Sequence, residues 1–279
     1  MEAGLYKKNK IGVIIQARMS STRMPGKILQ RLPFGNGKPI LHHIVDIVKD
    51  VQNVSFICIA TSCSKENDAI EDSFKGADVV VFRGDEQDVL SRYATISKKH
   101  NLDQVIRLTG DNPILDKNIL SDLIDFHLDN NYDHSSTAML PLGTNISMFS
   151  SKALEEAHLN ASKDSEKEHV EPWILASSKF SKGKLLYSKY KEIKDVRLTI
   201  DYPSDYAFLN IIFNHFKNTE VNIGIESVYK LLEKNAWLKE INNRNYQKKV
   251  YDNSEEEIKD AILVLETLEL SSAVRLLKK

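Results

Sequence analysis

A basic loop containing several small residues follows the first apolar run of the chain. It reads QARMSSTRMPGK over residues 16–27 and comes directly after IGVII at 11–15. Arg18, Arg23 and Lys27 supply positive charge, and the serines and glycine between them let backbone N–H groups approach a ligand closely. Because the loop after the first strand of an open α/β sheet is a usual place for phosphate, these residue types predict a polyphosphate site.

The loop lacks the two common phosphate-binding signatures. Neither GxxxxGK[ST] nor GxGxxG occurs in it. Its composition is equally typical of a basic loop exposed to water. The residues by themselves therefore leave both interpretations open.

Two aspartates follow predicted strands and could share a cleft with this loop. Asp111 lies just beyond Gly110 after the apolar run at 105–108, and Asp201 ends the run at 196–200. The carboxyl ends of parallel strands meet at the edge of the sheet where ligands bind. A role in a turn is the alternative for both, since Asp-Asn-Pro and Asp-Tyr-Pro favour turns.

Alternating strand and helix patterns must position these residues. We predict strands at 11–15, 54–60, 79–82 and 105–108, and helices at 40–48, 67–74, 86–99 and from the N-cap Asp116 to 128. Strands without a polar face, joined by helical connections, predict a Rossmann-like, doubly wound α/β domain with a mostly parallel sheet.

The second half of the chain is less regular. Residues 132–195, with a helix predicted at 153–159, are expected to form a smaller inserted lobe that touches a second substrate. The strand at 196–200 precedes an amphipathic helix. Residues 241–279 are predicted to form a helical C-terminal tail that begins with a Ser254–Glu257 capping box. Its apolar stripe, typical of core packing or a dimer contact, consists of Ile258, Ala261, Ile262, Leu265 and Leu268.

The composition excludes several classes of partner. The 38 basic and 39 acidic residues give a formal charge of −1, so no global field draws the chain to nucleic acid or an anionic membrane. The spacing of Cys58 and Cys63 fits neither a zinc site nor a redox pair, which favours reduced thiols. No segment approaches the roughly 20 apolar residues that span a bilayer. We expect a cytoplasmic protein.

Six segments, in order, closely resemble the cytidylyltransferases of the spore-coat-polysaccharide type, which are related to CMP-Kdo synthetase and acylneuraminate cytidylyltransferase. Each segment alone is a weak signal, but their shared order makes chance agreement improbable. The resemblance covers residues 10–240. The segments are QARMSSTRMPGK with GKPILHHIV, IATSCSKENDAIED, VFRGDEQDVLSRY, VIRLTGDNPILD, EHVEPWI and VRLTIDYPSDY.

The resemblance implies a fold and an activity. The fold would be that of the nucleotide-diphospho-sugar transferases, which is GT-A-like, with a nucleotidyltransferase domain at 10–240 that includes the 132–195 lobe. The enzyme would transfer CMP from CTP to an acidic sugar or a small phosphorylated acceptor and release pyrophosphate. The product would be a CMP- or CDP-linked precursor for surface polysaccharide. A homodimer is expected.

The resemblance also assigns roles to residues. Arg18 and Lys27 would contact the β- and γ-phosphates, and Asp111 and Asp201 would hold Mg²⁺. The residues implied to contact CTP are Gln16, Ala17, Arg18, Ser20, Ser21, Arg23, Lys27, Thr61, Ser62, Arg83, Gly84, Asp88, Thr109 and Gly110. The residues implied to contact the acceptor are Asn145, Glu168, His169 and Arg197.

Three positions qualify the resemblance. Asp88 and Arg92 match the family but lie four apart on one predicted helix, where mutual pairing is the alternative. Ser20 stands where the family usually has glycine, and a positive φ there would cost about 1 kcal/mol. Residues 143–147, GTNIS, replace an acidic Gly-Leu-Asp-x-Glu segment of many relatives, so we expect a different and more anionic acceptor.

Two other classes of function stay open. A GT-A-type glycosyltransferase would share the fold but expects Asp-x-Asp at a strand end, where this chain has Asp111-Asn112-Pro113. A non-catalytic nucleotide-binding protein is the second, and the joint presence of Arg18, Lys27 and the two aspartates argues against it.

Overall fold

A seven-stranded sheet with helices on both faces forms the centre of the protein. The computed structural model describes residues 9–219, 221–247 and 253–278. The strands of the sheet stand in the order β5-β4-β1-β6-β8-β7-β9. Their bounds are β1 Ile11–Gln16, β4 Val54–Ser62, β5 Val80–Gly84, β6 Gln104–Thr109, β7 His134–Ala138, β8 Ser147–Ser150 and β9 Lys182–Leu186, while β2 Arg31–Leu32 and β3 Lys38–Pro39 form a separate hairpin.

One half of the sheet is parallel and the rest is mixed. Strands β5, β4, β1 and β6 all run in one direction. Strand β8 runs antiparallel to both β6 and β7, and β7 pairs in parallel with β9. Because β8 is reversed, its first residue, Ser147, lies opposite Arg107 near the carboxyl end of β6. The mostly parallel, Rossmann-like α/β fold predicted from the sequence is confirmed.

Eleven α-helices lie within the described ranges, and most of them cover the sheet. One apolar core lies between the sheet and α1, α4, α8 and α9, and a second lies between the other face and α3, α5 and α7. The helices are α1 Ile40–Lys49, α2 Asp68–Ser73, α3 Val89–Lys99, α4 Lys117–Asp129, α5 Ser151–Asn160, α6 Asp164–His169, α7 Pro172–Ala176, α8 Pro203–Phe216, α9 Ile225–Lys234, α10 Ser254–Thr267 and α11 Ser271–Leu277.

Residues 196–200 do not form the predicted strand. Only an isolated bridge joins Arg197 to Leu142. Leu198 N–H donates to the Leu142 carbonyl at 2.8 Å, whereas Ile200 N–H donates to the Asp111 carbonyl at 3.0 Å. The backbone hydrogen bonds are thus divided between two loops, so no ladder forms, although Leu198 and Ile200 are buried as a strand pattern requires.

Capping fixes several helix starts. Asp116 accepts a hydrogen bond from Asn118 N–H and begins α4, as predicted. Helix α3 begins at Val89 rather than at 86, because Asp85 accepts the N–H groups of Gln87 and Asp88 in the preceding turn.

The start of the C-terminal tail differs from the prediction. Asn253 is the N-cap of α10 and accepts Glu256 N–H, so the predicted Ser254–Glu257 capping box is wrong by one residue. The apolar stripe is not core: Ile258 and Leu268 are exposed. Tyr246 donates its hydroxyl to Asp260 Oδ2 at 3.1 Å and links α10 to the preceding segment. Within the described ranges, no helix has the length and apolar character needed to cross a bilayer.

Candidate active site

Lys27 joins the basic loop to both aspartates. Gly26, with φ of 68°, turns the chain into a short 3-10 turn that Lys27 begins. The Lys27 ammonium lies 2.7 Å from Asp111 Oδ2 and 3.0 Å from Asp201 Oδ1, and donates to the Ile200 carbonyl at 2.5 Å. Three segments far apart in sequence therefore converge on one nitrogen atom, which is buried.

The charges in this cluster stabilise each other. Burial alone lowers the pKa of Lys27, but Asp111 and Asp201 outweigh it, so the pKa lies above its ordinary value. Burial likewise raises the pKa of Asp201, but Lys27, Arg23 and Arg197 hold it below its ordinary value. Both groups remain charged at neutral pH, and the cluster is an ion network.

The basic loop is held by its own backbone and by a buried asparagine. Gly26 N–H donates to the Met19 carbonyl at 2.9 Å and closes the loop. Asn67, fully buried, accepts Met19 N–H at 2.8 Å and donates to Ser62 Oγ at 2.7 Å. Sequence reasoning missed Asn67, although it lies in the segment IATSCSKENDAIED. The loop geometry is therefore fixed from the end of β4.

The remaining loop residues differ in their surroundings. Ser21 Oγ accepts Met24 N–H at 3.4 Å, and Arg18 is exposed. Ser20 is absent from the non-glycine residues with positive φ, so the strain considered for serine at this position does not arise. Its hydroxyl is buried without a hydrogen-bond partner.

Arg23 and Arg197 contact different oxygens of Asp201. Arg23 Nη2 lies 3.2 Å from Asp201 Oδ1, and its guanidinium stacks 4.5 Å from the centre of the Tyr202 ring. Arg197 Nη2 donates to Asp201 Oδ2 at 3.0 Å, and its Nε donates to Asp205 Oδ1 at 3.1 Å. The two arginines thereby fix the orientation of this carboxylate.

Asp205 holds the backbone at Asp201 and Tyr202 from within the core. It is fully buried, and its Oδ2 accepts the N–H groups of Asp201 and Tyr202 at 3.0 Å each. Burial lowers the pKa of Arg197, but Asp205 and Asp201 raise it above its ordinary value. Arg197 thus lies behind Asp201 with its nitrogens turned to carboxylates and to Gln247. Its contact with an acceptor stays a prediction.

A cavity of about 420 Å³ opens beside the two aspartates. Asn145 and His169, both predicted on the acceptor side, line it, whereas Glu168 is exposed and lies outside the lining. Asn112 also lines it, with its Oδ1 buried and unpartnered. The other polar lining residues are Gln16, Arg107, Thr109, Asp111, Thr144, Ser147, Thr199, Asp201 and Gln247. A larger groove, near α9 and the β2–β3 hairpin, contains none of the predicted site residues.

Sequence reasoning missed a carboxylate, Glu171, that contacts two residues of the cavity lining, Arg107 and Ser147. Glu171 Oε1 accepts from Ser147 Oγ at 2.8 Å and from Arg107 Nη1 at 3.3 Å. Its other oxygen lies 3.4 Å from His134 Nε2. Burial raises the pKa of Glu171, but His134 and Arg107 hold it below its ordinary value. Glu171 therefore orients Arg107, whose Nε donates to Gln16 Oε1 at 3.2 Å.

A strained turn sets the directions of His169 and Glu171. Val170, between them, has φ of 69° and ψ of −46°, and Glu171 N–H donates to the His169 carbonyl at 2.8 Å. This is a γ-turn with positive φ, which is rare for a β-branched residue. The turn sends His169 into the cavity and Glu171 toward Arg107.

The carboxyl ends of β4 and β5 carry the other predicted CTP residues. Arg83 donates to Asp68 Oδ1 at 2.5 Å and to the Ser64 carbonyl at 2.8 Å, so it clamps the segment after β4. Asp88 caps α3 by accepting Ser91 N–H at 2.7 Å. The alternative of an Asp88–Arg92 pair is wrong, because Arg92 donates instead to the Ala60 carbonyl at 3.4 Å.

Close backbone packing joins β1 to β6 at the site. Gly110 N–H donates to the Gln16 carbonyl at 2.8 Å, and a Cβ atom on Gly110 would lie 3.0 Å from the Ala17 side chain. Thr109 accepts Asn112 Nδ2 at 2.5 Å. Among the described residues, no group of three or more histidines, cysteines or carboxylates could hold a metal by itself. A metal at Asp111 and Asp201 would need ligands from a substrate.

Comparison with known proteins identifies relatives of this chain. Residues 12–258 match the family described as Cytidylyltransferase. A Methanocaldococcus jannaschii protein is 34% identical over 248 residues, 88% of this chain and 100% of the relative. The spore coat polysaccharide biosynthesis protein SpsF of Bacillus subtilis is 33% identical over 211 residues, 74% of this chain and 87% of the relative.

A solved structure shows the same fold. A cytidylyltransferase from Leptospira borgpetersenii superposes with a TM-score of 0.75 at 29% identity, covering 87% of this chain and 99% of that one. The family match over residues 12–258 extends from the basic loop through both aspartates. The chain therefore belongs to the cytidylyltransferase family, whose members are nucleotidyltransferases.

Proposed function

We propose that this enzyme transfers CMP from CTP to a small anionic acceptor, an acidic sugar or a phosphorylated molecule, and releases pyrophosphate. The product would be an activated CMP- or CDP-linked precursor for surface polysaccharide. The observation that carries the proposal is the convergence of Lys27, Asp111 and Asp201 between the basic loop and the 420 Å³ cavity. This arrangement has a cationic side for a triphosphate and a polar side for a second substrate.

The donor would bind with its triphosphate along the basic loop. Arg18, Arg23 and Lys27 would neutralise the phosphate oxygens, and backbone N–H groups of the loop would approach them. An acceptor oxygen would attack the α-phosphorus, and the bond from that phosphorus to the bridging oxygen of the β-phosphate would break. Charge then accumulates on the departing pyrophosphate, where Lys27 would stabilise it.

The two aspartates fit the magnesium ion expected in this reaction. Their oxygens lie 2.7 and 3.0 Å from the same ammonium nitrogen, so both carboxylates already point at one position. Two carboxylates completed by substrate phosphates are a donor set that Mg²⁺ uses. When bound there, Mg²⁺ would neutralise charge on the phosphates and polarise the α-phosphate. Arg197 and Asp205 would keep Asp201 oriented for this role.

The acceptor would occupy the cavity beside Asp111. Asn145 and His169 line it, and Arg107 presents a cation whose orientation Glu171 and Gln16 fix. Neutral residues at 143–147, in place of the acidic segment of many relatives, favour an anionic acceptor. An acceptor that is a phosphate or phosphonate carries an ionised oxygen and needs no general base.

A panel assay tests the proposal. The protein is incubated with Mg²⁺, each of the four nucleoside triphosphates, and a set of sugar acids and small phosphates, while pyrophosphate is measured. We expect release with CTP and one acceptor class. Nucleotide binding confined to another triphosphate would refute it. In this proposal the enzyme works in the cytoplasm as a homodimer, and light scattering tests the assembly.

A further inference from the structure

Gln247 is a residue of the C-terminal tail that reaches the cavity beside the two aspartates. It lines that cavity together with Asp201 and His169, and it is exposed. The acceptor residues that the resemblance implies all lie before residue 200. The segment that leads to Gln247 therefore adds a polar side chain to the site that the sequence did not indicate.

Arg197 determines which end of the Gln247 amide is available to a ligand. Arg197 Nη1 donates to Gln247 Oε1 at 2.6 Å, and because a guanidinium has donors only, the amide oxygen must face it. Nη2 of the same guanidinium donates to Asp201 Oδ2 at 3.0 Å, so Gln247 and Asp201 are neighbours. Within the described ranges the Gln247 side chain makes no other hydrogen bond, which leaves its Nε2 donors for a ligand.

Hydrogen bonds to the body of the protein hold the segment just before Gln247. Asn245 Nδ2 donates to Oδ1 of the fully buried Asp205 at 2.8 Å. The Tyr202 hydroxyl donates to the Tyr246 carbonyl at 3.1 Å. The backbone that carries Gln247 is thus fixed on both preceding residues. A side chain held in this way loses little conformational freedom when it binds a ligand.

We infer that Gln247 recognises the acceptor by donating hydrogen bonds from Nε2 to an anionic oxygen, of a carboxylate or a phosphate group, beside Asp201. An amide nitrogen can only donate, so its partner must be an atom with lone pairs. A neutral donor at this point offsets the repulsion that Asp111 and Asp201 exert on an anion, whereas a carboxylate would increase it. The inference rests on the proposed function, because it places the acceptor in this cavity.

Substitution of Gln247 by glutamate tests the donor role with little change in shape. A carboxylate still accepts from Arg197, so the melting temperature should match that of wild type. Calorimetry with saturating CTP and Mg²⁺ measures the affinities for glucuronate and glycerol phosphate, with glucose and glycerol as uncharged counterparts. Wild type should bind at least one anion, and Gln247→Glu should bind it roughly 10-fold or more weakly, with CTP affinity unchanged. Gln247→Met, which removes the donor without adding charge, should lose less. Gln52→Glu, at an exposed site after α1, should behave as wild type.

The outcomes distinguish the inference from its alternatives. Weaker binding of glucuronate alone identifies a carboxylate as the partner of Gln247, and weaker binding of glycerol phosphate alone identifies a phosphate. Unchanged or tighter binding of both anions by Gln247→Glu would mean that the amide contacts a hydroxyl group or nothing, and would overturn the inference. A wild type that binds CTP but neither anion would overturn it as well. A wild type that does not bind CTP would instead refute the proposed function.

Discussion

The ammonium of Lys27 lies 2.7 Å from Asp111 Oδ2, so the cation of the basic loop and the carboxylate after β6 form one ion pair. The same ammonium contacts Asp201 at 3.0 Å. Two partly buried carboxylates are therefore kept together by a side chain that would also meet the phosphates. Lys27 supplies the positive charge at the position to which both carboxylates point, and we call this its placeholder role.

Replacing Lys27 should impair both catalysis and the resting ion network. Lys27→Met should reduce pyrophosphate release at least 10²- to 10³-fold, the range seen when a charge-stabilising donor is lost. It also leaves Asp111 and Asp201 without their shared cation. Added Mg²⁺ should then raise the melting temperature of Lys27→Met more than that of wild type. An equal Mg²⁺ shift in both proteins would contradict the placeholder role.

Breaking the Arg197–Asp205 pair should destabilise the protein. Arg197→Met leaves the fully buried Asp205 without its cation, and such losses cost about 3–5 kcal/mol. Urea denaturation measures the free energy of unfolding, and Arg197→Met with Asp205→Asn should recover part of the loss. An unchanged free energy of unfolding with a raised acceptor KM would instead show that Arg197 contacts the acceptor.

The free energy of unfolding should fall at acid pH, partly because Glu171 becomes protonated. Its pKa in the folded protein lies below the ordinary value of 4.5, so the folded state binds fewer protons than the unfolded state. The contribution is complete above that value and is lost as the pH falls through the folded pKa. Glu171→Gln should flatten the acid limb of unfolding free energy against pH. Glu168→Gln, at the exposed neighbour in the same segment, should leave that limb unchanged.

Gly26→Ala should weaken CTP binding more than the loss of folding stability caused by the substitution explains. Gly26 has φ of 68°, and alanine there should cost about 1 kcal/mol. Gly76 offers a matched control, since its φ is 81° and a Cβ atom would meet nothing within 4 Å. Both variants should lose similar melting temperature, but only Gly26→Ala should weaken CTP binding. A similar weakening in both variants would exclude a specific role for this turn.

The sequence predicted most of the elements that support the site. The apolar runs of β1, β4 and β6 mark buried parallel strands, and the proximity of the basic loop to Asp111 follows from where β1 and β6 end. The strand predicted at 196–200 does not form. Leu198 and Ile200 are buried as they would be in a strand, but the partners of their N–H groups lie in two separate loops.

The polar contacts that hold the site could not be predicted in the same way. Asn67, Glu171 and Asp205 lie in segments that resemble the family, but each works through partners distant in the chain or through buried backbone N–H groups. Glu168 and Glu171 are both acidic residues of one short segment, and the γ-turn at Val170 directs Glu171, not Glu168, toward Arg107. Side-chain packing, rather than periodicity, determines such contacts.

The reversal of β8 has a consequence for how this enzyme could change its substrate. The proposed donor half of the site is built where β1, β4 and β6 end, while residues 143–147 reach the same edge where β8 begins at Ser147. A short exchange of this segment would thus alter the proposed acceptor pocket without cutting any strand of the donor half. Chimeras carrying the acidic segment of relatives offer a direct route to new acceptor preferences with CTP use intact.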